Sequence, residues 1–103
     1  MYKLEIEAEA FKDRDRIHTY IVEEFDNHAA ASRLMSAFRK GFQKIMRQPY
    51  ICPVLQTASP KEHEFRKLII KRNYIAFYRI DEDKKLITIA RIFHSKQNYE
   101  SQL

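Results

Sequence analysis

The chain has 103 residues, of which 45% are hydrophobic and 13% aromatic, so it can bury one small core and global disorder is excluded. It contains one cysteine, which excludes an intramolecular disulfide, and no apolar run approaches the roughly 20 residues of a membrane-spanning helix. The first residues also lack the apolar stretch of a signal peptide. We therefore predict a single domain over residues 1–103, in the cytoplasm and without membrane association.

The formal net charge of +5 is unevenly distributed along the chain. Residues 1–28 carry four basic and eight acidic side chains, whereas residues 29–103 carry fifteen basic and six acidic ones. The segment 27–60 contains no acidic residue at all. Such an excess of positive charge over residues 29–103 favours a polyanionic partner, either nucleic acid or an acidic protein segment. The alternative is an ordinary solvated basic surface.

The first quarter of the chain predicts a strand followed by a helix. Apolar and polar residues alternate from Tyr2 to Ile6, which is the period of a half-buried strand. Residues 7–25 then change to helical spacing, with one apolar face formed by Ile17, Tyr20, Ile21 and Phe25. The four charged residues 13–16 are predicted to form the solvated side of this helix.

A second helix is predicted between Asn27 and Pro49. Asp26 or Asn27 can accept hydrogen bonds from its first backbone N–H groups, and Pro49, which has no N–H, should mark its end. Its apolar stripe persists over four turns and consists of Ala31, Leu34, Met35, Phe38, Phe42 and Ile45. The connection is short, so the two helices should form an antiparallel hairpin.

Gly41 is the only glycine of the chain, and it lies inside the second predicted helix. Glycine at such a position costs roughly 1 kcal/mol relative to alanine. We therefore expect a close approach of the first helix or of the sheet at Gly41, with a hinge as the alternative.

The second half of the chain predicts three consecutive strands. All three prolines lie in residues 49–63, which should form an irregular connection, and the strand candidates are residues 65–70, 74–81 and 85–93. Arg72-Asn73 can turn the first hairpin, because asparagine tolerates a left-handed backbone, and residues 81–84 can turn the second. The order β-α-α-β-β-β predicts a two-layer α+β domain, with a helical hairpin packed on a small, mainly antiparallel sheet.

Few residues are candidates for chemistry. One glycine cannot supply a glycine-rich phosphate loop, and the four histidines lack metal-ligand spacing, so we predict no cofactor and no metal. His94 lies at the end of the last strand between Arg91 and Lys96, where an imidazole could exchange protons near neutral pH. The alternative is a packing histidine that closes the strand end.

Several motifs, in their order along nearly the whole chain, resemble toxins of the RelE/ParE superfamily from bacterial type II toxin–antitoxin modules. The first helix matches at Ala10, Asp13, Ile17, Tyr20 and Ile21, and the end of the second helix matches at Ile45, Met46 and Pro49. The strongest match is Arg66, followed by residues 73–81 and 89–94. One departure is Arg14, where the family usually has an apolar residue. It suggests a helix face turned toward solvent.

The resemblance implies a growth inhibitor, of the kind associated with plasmid stabilisation, that a cognate acidic antitoxin neutralises. RelE-like members cleave mRNA on the ribosome, and a nuclease of that type would use Arg66, His94 and Lys96 here. ParE-like members inhibit DNA gyrase without catalytic residues. RelE-like toxins carry arginine after the tyrosine of the third strand, whereas Tyr74 is followed here by Ile75.

Our interpretation therefore favours gyrase inhibition, with the ribosome-dependent endoribonuclease as the alternative, and it leaves open whether the chain is an enzyme. A degenerate toxin or a plain nucleic-acid-binding domain is the third alternative. Target or antitoxin binding is predicted for a set of five side chains: Lys67, Arg72, Arg79, Arg91 and Tyr99.

Overall fold

A computed structural model describes residues 1–56, 64–97, 99, 102 and 103. The elements follow the predicted order: β1 (Lys3–Ile6), α1 (Ala8–Phe25), α2 (His28–Arg47), β2 (Arg66–Ile70), β3 (Tyr74–Asp81) and β4 (Leu86–His94). The predicted two-layer α+β class is thus confirmed. Most of the predicted irregular connection, residues 57–63, lies outside the described residues. Within the described part, neither helix is long and apolar enough to cross a membrane.

The four strands form one sheet in the order β1-β4-β3-β2. β1 pairs with β4 in parallel, and the other two pairings are antiparallel. Two parallel strands need a long crossover connection between them. The connection from β1 to β4 begins with the helical hairpin of α1 and α2. The pairing of β1 with β4 ends at Ile6 and Ile89, so the last residues of β4 have no strand on that side. This open edge positions α1, as described below.

The two residues singled out in the sequence of the second helix, Asn27 and Gly41, both make the contacts expected of them. The Asn27 side chain accepts a hydrogen bond from the Ala30 backbone N–H at 2.9 Å, so Asn27 is the cap. Asp26 instead ends α1 with a left-handed backbone, at a φ of 46°. A Cβ atom added to Gly41 would lie 3.2 Å from Leu68 Cδ2 of β2, which confirms the expected close approach of the sheet.

The sheet is apolar on both of its faces. Neighbouring residues of a strand point to opposite faces, and both Phe77 and Tyr78 are fully buried. Tyr78 belongs to the core beneath the helices, where its hydroxyl donates to the Pro49 carbonyl at 2.6 Å. On the other side, hereafter the outer face, Phe77 packs with Leu55, Ile75 and Phe93, and Phe65, Tyr99 and Leu103 cover this cluster.

The first hairpin turns one residue earlier than predicted. The left-handed residues are Lys71 and Arg72, with φ values of 53° and 66°, and Asn73 is not among them. Because Ile70 pairs with Tyr74, the loop has three residues, and the first two of them adopt the left-handed backbone conformation. The Asn73 carbonyl instead accepts a hydrogen bond from the Ser95 N–H at 2.7 Å, which ties the turn to the end of β4.

Candidate functional site

Asp13 of α1 is buried against the open edge of β4, so the prediction that residues 13–16 form a solvated side is wrong at this position. Its carboxylate accepts hydrogen bonds from Arg91 Nε at 2.8 Å and Nη2 at 3.0 Å, and from Arg16 Nη2 at 2.7 Å. It also accepts one from the Ile92 backbone N–H at 2.9 Å. At this edge, where β4 has no neighbouring strand, the Asp13 carboxylate therefore satisfies a backbone N–H that a strand would otherwise bind.

The electrostatics of this contact favour the charged carboxylate. Burial alone would raise the pKa of Asp13, but the hydrogen bonds from Arg91, Ile92 and Arg16 outweigh that effect and lower it. The Arg91 side chain is only 19% exposed, and its guanidinium also lies 4.6 Å from the centre of the Phe93 ring. Arg91 thus has partners inside the protein. Its predicted role in binding a target or antitoxin stays a prediction.

His94 lies at the end of β4, beside the turn between β2 and β3. Its ring packs edge-on against Tyr74, with centroids 5.3 Å apart, and Nδ1 accepts a hydrogen bond from the Lys96 N–H at 3.1 Å. This bond leaves the proton of a neutral ring on Nε2. Arg72 and Lys96 are exposed at the same end of the sheet. The structure therefore brings three of the predicted residues together here.

A groove of about 1080 Å³, the strand-end groove, opens between α1 and this end of the sheet. Rings from Tyr20, Phe25, Tyr74 and His94 line it, together with Arg16 and Gln97. Tyr20 and Phe25 are 57% and 64% exposed, so the groove offers apolar surface to a partner.

Arg66 and Arg79 lie away from His94. Arg66 donates to the Cys52 carbonyl at 2.7 Å, and its guanidinium stacks over the Tyr50 ring at 5.0 Å. Arg79 pairs with Glu7 at 2.6 Å. Since Arg66 is opposite Tyr78 and His94 is opposite Tyr74, strand spacings place their Cα atoms about 16 Å apart. Of the residues predicted for a nuclease, His94 and Lys96 therefore lie together, whereas Arg66 lies apart from them.

The remaining predicted residues belong to the outer face. Lys67 lies opposite Phe77 on β2, so both side chains point to that face. Tyr99 packs on Phe77 and Phe93, with ring centroids 4.8 Å and 6.4 Å away. The Tyr99 ring therefore packs against the outer face of the sheet.

A further groove, of about 600 Å³, was not predicted from the sequence. This helix groove lies between β1, α1 and α2, and its apolar lining consists of Leu4, Ile6, Met35, Phe42 and Met46. Its charged and polar lining includes Arg14, Asp15, His18 and Arg39. Arg14 is half-buried and stacks 4.9 Å over the Phe11 ring, so the apolar-to-basic change at this position places a charge beside the groove.

The model of the family described as the ParE toxin of the type II toxin–antitoxin system parDE matches residues 4–99. Among solved structures, the chain is similar to the chromosomal ParDE toxin–antitoxin system from P. aeruginosa, at 20% identity and a TM-score of 0.71. That match covers 91% of this chain and 96% of the other. No significant match was found among curated proteins.

The intact E. coli RelBE toxin–antitoxin complex is similar at 13% identity and a TM-score of 0.61, covering 94% of this chain and 100% of the other. The RelBE2 complex from Mycobacterium tuberculosis is similar at 18% identity and a TM-score of 0.55, covering 90% and 96%. At these identities the structural matches establish the fold. Because the family model spans nearly the whole chain, the chain belongs to the ParE toxins of type II toxin–antitoxin systems, within the RelE/ParE superfamily that its motifs indicated.

Proposed function

We propose that the chain inhibits growth by binding DNA gyrase, without turning over a substrate, in the cytoplasm. The observation that carries this proposal is the environment of Ile75. RelE-like nucleases have arginine at the matching position, but here Ile75 is buried in the outer-face cluster with Phe77 and Phe93. A guanidinium there would be desolvated among apolar groups, so the outer face is built for packing and not for holding a phosphate.

The gyrase-binding surface in this proposal is the strand-end groove with its neighbouring cations. The groove has exposed aromatic rings with Arg16 and Glu9 in its lining, and Arg72 and Lys96 are exposed at the same end of the sheet. Aromatic and arginine side chains are the residue types that dominate protein–protein binding energies. A docking surface of this type requires no proton transfer by His94.

The alternative is a ribosome-dependent endoribonuclease, and the surroundings of His94 are the observation in its favour. The ring is half-buried, and Nδ1 accepts the Lys96 N–H, so Nε2 is the nitrogen that would have to transfer the proton. In such an enzyme His94 would act as acid or base, and Arg66 and Lys96 would stabilise the phosphate. The separation of about 16 Å between Arg66 and His94 argues against one shared phosphate.

Inducing the chain in growing cells distinguishes these functions. We expect induction of the DNA-damage response, with transcripts left intact. Cleavage of transcripts at codon boundaries, without DNA damage, would contradict the gyrase proposal.

A cognate antitoxin is the second partner in this proposal, and the helix groove is the surface that fits it. The groove is mainly apolar, and two arginines against one aspartate, Asp15, line it, so it would attract an acidic amphipathic segment that folds on binding. The P. aeruginosa and E. coli neighbours were solved as toxin–antitoxin systems, which supports a partner of this class. Association should be slowed by salt, since opposite charges steer the encounter.

Met35→Glu should weaken antitoxin binding about 100-fold, because the new carboxylate would pair with Arg39 four residues on and repel an acidic segment. Calorimetry can measure this with the product of the short acidic reading frame that we expect beside the gene. Ala29→Glu adds the same charge to the exposed first turn of the same helix and should bind as the wild type does. Equal affinities of the two variants would rule out the helix groove as the antitoxin site.

A further inference from the structure

The exposed side of α2 carries a line of four cations, hereafter the cationic stripe: Arg33, Lys40, Lys44 and Arg47. All four side chains are exposed. At 100° per residue they fall within a band of about 60°, opposite the buried stripe of the helix. At 1.5 Å per residue the stripe is about 21 Å long.

No carboxylate of the described residues forms an ion pair with the stripe. An ordinary solvated helix face mixes both signs, and like charges three or four residues apart destabilise a helix by a few tenths of a kcal/mol. Lys44 and Arg47 gain some stabilisation from the C-terminal end of the helix dipole, but Arg33 and Lys40 lie too far from that end. Helix stability therefore does not account for the stripe.

The residues between these cations limit what the stripe can bind. The side chains between them on the same face, Ser36 and Ala37, are small. An amphipathic acidic peptide would find no large apolar side chain between these cations, and single-stranded nucleic acid would find no ring there on which to stack its bases. A regular array of phosphates requires only charge and a helix that fits the groove.

We propose that the cationic stripe binds the phosphate backbone of duplex DNA without reading its sequence. B-form DNA carries one charge per about 1.7 Å of axis, so a 21 Å stripe faces on the order of twelve phosphate charges. Its major groove is about 12 Å wide and admits an α-helix, whereas the major groove of A-form RNA is too narrow. This binding needs no gyrase, so it can be tested apart from the proposed target.

Fluorescence anisotropy with a labelled 20-base-pair DNA duplex of arbitrary sequence tests the proposal between 50 and 200 mM KCl. If the four cations each neutralise one phosphate, log K against log salt should have a slope of about −3.6, which is a loss of about 150-fold over this range. Lys40→Gln/Lys44→Gln should reduce the slope by about 1.8, and exposed substitutions of this kind should leave the fold intact.

The matched control is Lys12→Gln/Lys84→Gln, which removes two exposed charges from α1 and from the turn between β3 and β4. Its slope should fall by much less than that of the α2 variant. Equal losses of slope in the two variants would overturn the proposal, because any exposed lysine would then contribute equally to DNA binding. Tighter binding of duplex RNA, single-stranded DNA or polyglutamate than of duplex DNA would overturn it as well.

Discussion

Asp13→Asn will destabilise the protein by about 3 kcal/mol at neutral pH, measured by urea unfolding. The Asp13 side chain is 4% exposed and accepts four hydrogen bonds, two of them from Arg91. Asparagine has one acceptor oxygen and no charge, so the largely buried Arg91 guanidinium loses its counter-ion. The N–H of Ile92 lies at an edge without a strand and depends on the same carboxylate.

The same contact predicts a pH dependence. Because the folded protein lowers the pKa of Asp13, its contribution is fully present above the pKa of an unfolded aspartate, about 3.9, and is lost as the pH falls through the folded pKa. Wild-type urea midpoints should fall below about pH 4 more steeply than those of Asp13→Asn. The control is Asp15→Asn, on the exposed side of α1, which should change stability by less than about 0.5 kcal/mol. If the two variants are equally stable, the role given to Asp13 is wrong.

Phe77→Ala is the second large expected effect, with a loss of about 3 to 5 kcal/mol in the free energy of unfolding. Phe77 is fully buried and lies at the centre of the outer-face cluster, 6.0 Å from the Phe93 ring and 4.8 Å from the Tyr99 ring. Its removal leaves a cavity on the sheet face and takes away the ring on which Tyr99 packs. Thermal unfolding followed by circular dichroism measures the loss.

Phe25→Ala is the matched control, since Phe25 is 64% exposed and contacts Tyr20 at the edge of the strand-end groove. Its stability should stay within about 0.5 kcal/mol of the wild type. Should Phe77→Ala prove equally mild, the outer face would not be a second core, and the argument from the burial of Ile75 would lose its basis.

The element order was predictable because each segment carries a local periodicity, and the cap at Asn27 and the close approach at Gly41 follow from single residue types. The buried face of α1 was only partly predictable from its apolar residues. Asp13 lies three residues after Ala10 and four before Ile17, on the buried face, but its charge suggested solvent. Its partner Arg91 is 78 residues away, and nothing local joins the two.

The candidate site was less predictable for a similar reason. Arg66 and His94 each lie on a strand with basic neighbours, but their separation depends on the registers of two hairpins. The helix groove is formed by β1, α1 and α2 together, and its apolar residues read in sequence as ordinary core positions. Tyr99 is five residues past His94, the last residue of β4, and its packing on the outer face is a tertiary contact.

DNA supercoiling by purified gyrase, in the presence of the wild-type chain or of His94→Ala, tests the proposed function most directly. We predict that both proteins inhibit supercoiling at the same concentration, because binding transfers no proton. Two observations together would contradict gyrase inhibition. Gyrase would supercoil DNA unimpeded, and the wild-type chain would cut mRNA on translating ribosomes, with His94→Ala slower by about 10²- to 10⁴-fold.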